Sequence, residues 1–104
     1  MLFRSAITAD LSFISLTKAL PAALSLAAPG AWAVALIKPQ FEAGREHVGK
    51  GGIVRDEAVR AAVVERIADF FGAQPGWRVA GTMPSPIAGQ SGNAEFLIGA
   101  RYAP

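Results

Sequence analysis

The chain has 104 residues, no cysteine, one histidine and a net charge of +2, with 52% apolar and only 17% charged residues. One domain at most fits in that length. The composition excludes disulfides, thiolate nucleophiles and cysteine-based metal sites, and His47 alone cannot build a structural zinc site. The scattered arginines form no run that would announce nucleic acid.

Residues 4–9 read as a short strand ending at Asp10. Ser15 or Thr17 can cap a helix over roughly 16–27, with Leu16, Leu20, Ala23 and Leu24 on one face and Pro21 near its first turn. Pro29-Gly30 is expected to stop that helix. Ala31 to Ile37 is apolar throughout, which predicts a strand covered on both faces.

Nineteen residues between Lys18 and Lys38 carry no charge. Hydropathy alone makes that stretch a membrane candidate, and Ala31-Trp32-Ala33 imitates a signal cleavage site. Pro21, the Pro29-Gly30 break and the alanine-rich composition argue instead for buried elements of a chain in the cytoplasm, with no membrane partner.

Lys38 to Arg55 spans eighteen residues with four glycines and no sustained periodicity. It reads as a long loop, a length that favours a lid or binding segment. Asp56 is a plausible N-cap for the clearest helix, with Val59, Ala62, Val63, Ile67, Phe70 and Phe71 at helical spacing and Gly72 as its stop. Those aromatics are expected in the core. A strand from Trp77 to Met83, a turn-rich stretch from Pro84 to Asn93 and a strand from Ala94 to Tyr102 complete the chain.

The pattern is β-α-β-loop-α-β-β, an α/β fold with a mainly parallel sheet and an antiparallel last pair. Sites in such sheets lie at the carboxyl ends of the strands. Asp10 and Lys38 fall at two such ends, and Glu95 opens the antiparallel strand at the same rim. A lysine between two carboxylates can orient a hydroxyl nucleophile or take its proton, and it can equally be an ion pair closing the sheet.

Three segments, Asp10-Leu11-Ser12-Phe13-Ile14-Ser15-Leu16, Lys38-Pro39-Gln40-Phe41-Glu42 and Ser85-Pro86-Ile87 through Gly92-Asn93-Ala94-Glu95-Phe96, resemble those of TlyA/haemolysin A-type proteins. These are a branch of the FtsJ-like ribose 2′-O-methyltransferases of ribosomal RNA, and the match runs in order along essentially the whole chain. The resemblance implies a partial Rossmann-like methyltransferase fold of about four strands, ordered first, second, fourth, third along this chain, with both helices on one face. It implies that Asp10, Lys38 and Glu95 are three members of a Lys-Asp-Lys-Glu tetrad. Lys38 would deprotonate or steer the ribose 2′-hydroxyl, and Asp10 would also touch the cofactor, S-adenosylmethionine.

The family's first lysine, its glycine-rich cofactor loop and its N-terminal S4-like domain have no counterpart in residues 1–104. The expectation is therefore the C-terminal half of a catalytic domain, binding no cofactor and inactive alone, and forming a homodimer or larger species through its uncovered sheet edge and face. A non-catalytic module, whose Arg45, Lys50 and Arg55 contact RNA phosphates, is the alternative, and a membrane-active haemolysin is a third. His47 is expected to be exposed, Glu42 solvated or aiding substrate placement, Asn93 a turn residue, and Ser12 and Ser15 turn and capping residues.

Overall fold

A computed structural model describes residues 4–89 and 92–104. Four strands, β1 (Arg4–Ala9), β2 (Ala27–Ile37), β3 (Trp77–Pro84) and β4 (Phe96–Tyr102), form one sheet in the order β1-β2-β4-β3. β1 and β2 are parallel, while β4 runs antiparallel to both β2 and β3. That is the strand order the family resemblance implies and the strand direction expected from the element pattern. The last strand starts two residues later than expected, which leaves Glu95 just outside it.

The region read as a single helix over 16–27 is instead two one-turn helices, α1 (Leu16–Ala19) and α2 (Pro21–Leu24). Pro21 opens α2, where its missing N–H costs nothing, but it cannot continue the ladder begun by α1. Pro29-Gly30 is no helix stop: both residues lie inside β2, with Gly30 at φ +84°. The β1–β2 register jumps there, from Arg4↔Ala27 to Ala6↔Trp32. A bulge of this kind absorbs the left-handed glycine and the absent proline donor.

The expectation of a strand covered on both faces is also corrected. Ala31, Ala33, Ala35 and Ile37 are buried, whereas Trp32 and Val34 between them are exposed. The pairs Ala33↔Ala100, Ala35↔Ile98 and Ile37↔Phe96 continue the inner face across β4. Small residues on that face let the helices approach closely, and Leu16, Leu20, Leu24, Val63, Ile67 and Phe71 pack over them in a single core. All helices thus cover one face, as expected. The other face carries Trp32, Val34 and Met83 into solvent.

α3 (Glu57–Ala73) begins as expected, with the Asp56 carboxylate accepting from the N–H groups of Ala58 at 2.8 Å and Val59 at 3.4 Å. Its stop is not Gly72, which is helical. The chain turns at Gln74-Pro75-Gly76, where Gly76 has φ +80°. Val63, Ile67 and Phe71 form its buried stripe, with Phe70 partly buried beside them. Trp77 fixes the far end of the layer by donating from Nε1 to the Leu24 carbonyl at 3.2 Å.

The long loop is less irregular than its glycines suggest. Pro39–Phe41 and Arg45–His47 each form one 3₁₀ turn. Within the loop, Gly49 N–H donates to the Ile53 carbonyl at 2.9 Å, so its tip is a closed turn.

Candidate functional site

β1 ends at Ala9 and β2 at Ile37, so Asp10 and Lys38 emerge side by side at the carboxyl rim. Their side chains form an ion pair, Lys38 Nζ to Asp10 Oδ1. Lys38 is 13% exposed and Asp10 66% exposed, so the amine is sheltered beside an open carboxylate. Lys38 also donates to Ser12 Oγ at 3.5 Å. This half of the expected cluster is formed.

Glu95 stands on the same rim, because Ile37 pairs with Phe96 in the β2–β4 register. It is buried to 8% exposure, yet no ion pair joins it to Lys38 among the described residues. Its Oε2 instead accepts from Gln40 Nε2 at 3.0 Å. Gly89 lies close against this carboxylate: a Cβ there would lie 1.9 Å from the same Oε2. The expected trio is therefore a pair plus a neighbour held by an amide, and Gln40 is a member that sequence reasoning missed. Its Oε1 is buried without a partner among the described residues.

Glu42 departs most from expectation. Rather than being solvated, its side chain is 2% exposed. It accepts from Ser15 Oγ at 2.6 Å, from the Leu16 N–H at 2.9 Å and from Arg66 Nη2 at 3.3 Å. Ser15 caps α1 as expected, its Oγ accepting from the Thr17 N–H at 3.1 Å.

Phe13 was not singled out by the sequence. It is 88% exposed, has φ +65° and lies 4.9 Å from the Phe41 ring. A bulky residue in left-handed backbone is uncommon and strained. It borders a cavity of about 230 Å³ lined also by Gln40, Phe41, Gly51, Gly52 and Asn93. The signal available in the sequence was an aromatic inside a polar turn between Ser12 and Ser15.

Asn93 is buried and does more than serve a turn. Its Oδ1 accepts from the Val54 N–H at 3.0 Å and its Nδ2 donates to the Gly52 carbonyl at 2.9 Å, which pins the glycine-rich loop to the entry of β4. Arg45, Lys50 and Arg55 are exposed on that loop, and so is His47, as expected. Gln90 and Ser91, within the third sequence segment, lie outside the described residues. No group of acidic and histidine side chains suited to a metal occurs among the described residues.

Residues 4–102 match the family described as FtsJ-like methyltransferase. YqxC of Bacillus subtilis is 53% identical over 91 residues, covering 88% of this chain and 32% of that protein. The 16S/23S rRNA (cytidine-2′-O)-methyltransferase TlyA of Mycobacterium tuberculosis is 45% identical over 92 residues, covering 88% of this chain and 34% of its own. The chain thus spans about a third of the length of these relatives. A crystal structure of a hemolysin-named protein from Lactococcus lactis superposes with a TM-score of 0.87 at 43% identity, over 94% of this chain and 46% of that one. At the level of fold alone, the O-methyltransferase from Bacillus cereus superposes with a TM-score of 0.56 at 14% identity. No helix among the described residues is long and apolar enough to cross a membrane. With that match over residues 4–102 and its four-stranded α/β sheet, this chain belongs to the FtsJ-like methyltransferase family.

Proposed function

We propose that this chain carries the hydroxyl-activating side of a ribosomal RNA ribose 2′-O-methyltransferase acting in the cytoplasm. The observation that carries the reading is the Lys38–Asp10 ion pair at adjacent strand ends, in a chain of this family. Lys38 would steer the ribose 2′-hydroxyl as an ammonium donor or, once deprotonated, take its proton as the neutral amine, while Asp10 and Ser12 fix the position of Nζ. Positioning of this kind supplies about 7–11 kcal/mol of barrier lowering in ideal cases. Glu95, held by Gln40, borders the same space.

S-adenosylmethionine supplies the electrophilic methyl when bound. The exposed carboxylate of Asp10 suits a cofactor bearing amine and hydroxyl donors, so the residues present fit a contact with it. Supporting an RNA substrate, Phe13 offers an exposed ring beside a cavity, and bases stack on such rings irrespective of sequence. We propose further that residues 1–104 alone do not turn over, since they contribute a single rim lysine. The test joins this chain to the upstream half of the domain and follows methyl incorporation into ribosomal RNA. Lys38→Ala should abolish it, and unchanged turnover would sink the reading.

A second reading rests on the exposed cations of the loop. Arg45, Lys50 and Arg55 could hold phosphates without catalysis. RNA binding that weakens with salt, survives Lys38→Ala and comes with no methyl transfer in the joined domain would favour it.

Self-association is part of the proposal as well. Trp32, Val34 and Met83 leave the helix-free face of the sheet apolar and exposed, and β1 and β3 are edge strands. Light scattering across dilution should give a dimer or larger species, and a strictly monomeric mass would contradict it.

A further inference from the structure

Two turns lead away from the rim: Asp10 to Leu16 follows β1, and Lys38 to Glu42 follows β2. They are joined at three places, the first also holding the Lys38–Ser12 bond. Asp10 pairs with Lys38, the Phe13 ring lies against Phe41 at 4.9 Å, and Ser15 Oγ and Leu16 N–H donate to Glu42 at 2.6 and 2.9 Å. Glu42 therefore closes the far end of a ladder whose near end is the candidate catalytic pair. Arg66 of α3 anchors the closing rung, donating to Glu42 Oε1 at 3.3 Å and to the Glu42 carbonyl.

A carboxylate at 2% exposure is costly to bury and persists only when hydrogen-bonded and paired. Glu42 meets both conditions, through short bonds from Ser15 and Leu16 and a longer ion pair with Arg66 at 3.3 Å. Between the rungs, Phe13 keeps a left-handed backbone, a conformation that lasts only where its surroundings over-determine it. The closing rung supplies that constraint from one side and the Asp10–Lys38 pair from the other.

We propose that Glu42 is a positioning residue for the Asp10–Lys38 site: its buried carboxylate, anchored by Arg66, fixes the turn bearing Asp10, Ser12 and Phe13 against the turn bearing Lys38. The structural half of this inference stands without the methyl-transfer reading, and its catalytic half rests on that reading.

The test uses Glu42→Ala and Glu42→Gln. In the 104-residue chain, nuclear magnetic resonance follows Phe13–Phe41 ring contacts and exchange of the Lys38 ζ-protons. Glu42→Ala should erase the ring contacts and speed ζ-proton exchange at least tenfold, with α3 amides still protected. Glu42→Gln, which keeps an acceptor for the Leu16 N–H, should restore part of both signals. If Glu42→Ala unfolds α3 too, Arg66→Met decides, because it removes the anchor and leaves the Ser15 and Leu16 bonds. Ring contacts and ζ-proton exchange unchanged in a folded variant would overturn the proposal.

In the joined domain, Glu42→Gln should lower single-turnover methyl transfer at saturating RNA at least tenfold. An unchanged rate would overturn the catalytic half alone. A wild-type domain that transfers no methyl would reject the enzyme reading, and the resonance arm would still decide the positioning claim.

Discussion

Gln40 reaches Glu95 across 55 positions of sequence, donating Nε2 to Oε2 at 3.0 Å. The bond makes Glu95 dependent on the Lys38 turn without a direct charge pair. Gln40→Leu leaves a buried carboxylate without its amide donor, and a lost partner for a buried charged group costs about 1–3 kcal/mol or more. We expect the urea midpoint to fall accordingly. A midpoint matching the unmodified chain would mean that Glu95 finds water or another donor there.

Phe13 separates binding from stability. Its ring is exposed, so Phe13→Ala should leave the melting temperature nearly unchanged. Loss of base stacking costs about 1–3 kcal/mol per base, so RNA affinity should drop roughly 5- to 150-fold. Anisotropy titrations with a ribosomal RNA hairpin, run beside thermal melts, check both halves. A large drop in melting temperature would show that the ring is structural.

Asn93 predicts a local effect on the loop. Asn93→Ala strips the Val54 N–H and the Gly52 carbonyl of their side-chain partner, and Val54 is fully buried. Leaving a buried backbone donor unpaired costs about 1–3 kcal/mol. Exchange at the Val54 amide should accelerate at least tenfold, well beyond any change in α3. Equal acceleration everywhere would indicate global unfolding rather than release of the loop.

Gly89 tests how tightly Glu95 is confined. Its backbone is not left-handed, so space alone forbids a side chain, with the added Cβ 1.9 Å from the carboxylate oxygen and 2.3 Å from Cδ. Gly89→Ala must displace Glu95 and break its bond to Gln40. A fall in stability of about 1–3 kcal/mol is expected, in the range for overpacking a filled site. The double variant with Gln40→Leu should fall by less than the sum, because the two changes act on one carboxylate.

Much of this was legible in the sequence. The Asp56 cap and the Asp10–Lys38 pair follow from capping chemistry and the position of charges at strand ends. The strand order is what the family resemblance of the three segments implies, and helix placement follows from that order through right-handed crossovers. The misreadings share a cause: local signals that tertiary contacts override. Pro29-Gly30 is a turn signal by composition, yet a bulge carries it through β2. Gly72 is a stop by composition, while the helix continues until Gln74-Pro75. Glu42 belongs to a glycine-rich loop, and its burial depends on Arg66, twenty-four residues away. Gln40 carries no charge, so a search for ionisable groups passes over it.

The place of β4 in the sheet carries a consequence for how this chain comes to be folded. β4 lies between β2 and β3, although it follows both in the sequence. While a ribosome is still making the preceding residues, β2 and β3 each present an unsatisfied edge, with a slot between them where a strand has yet to arrive. The helices can gather over their side of the nascent layer, but the sheet itself cannot be joined. Closure waits for the last strand to thread into the middle, a long-range step that is slow and exposes edges prone to mispairing.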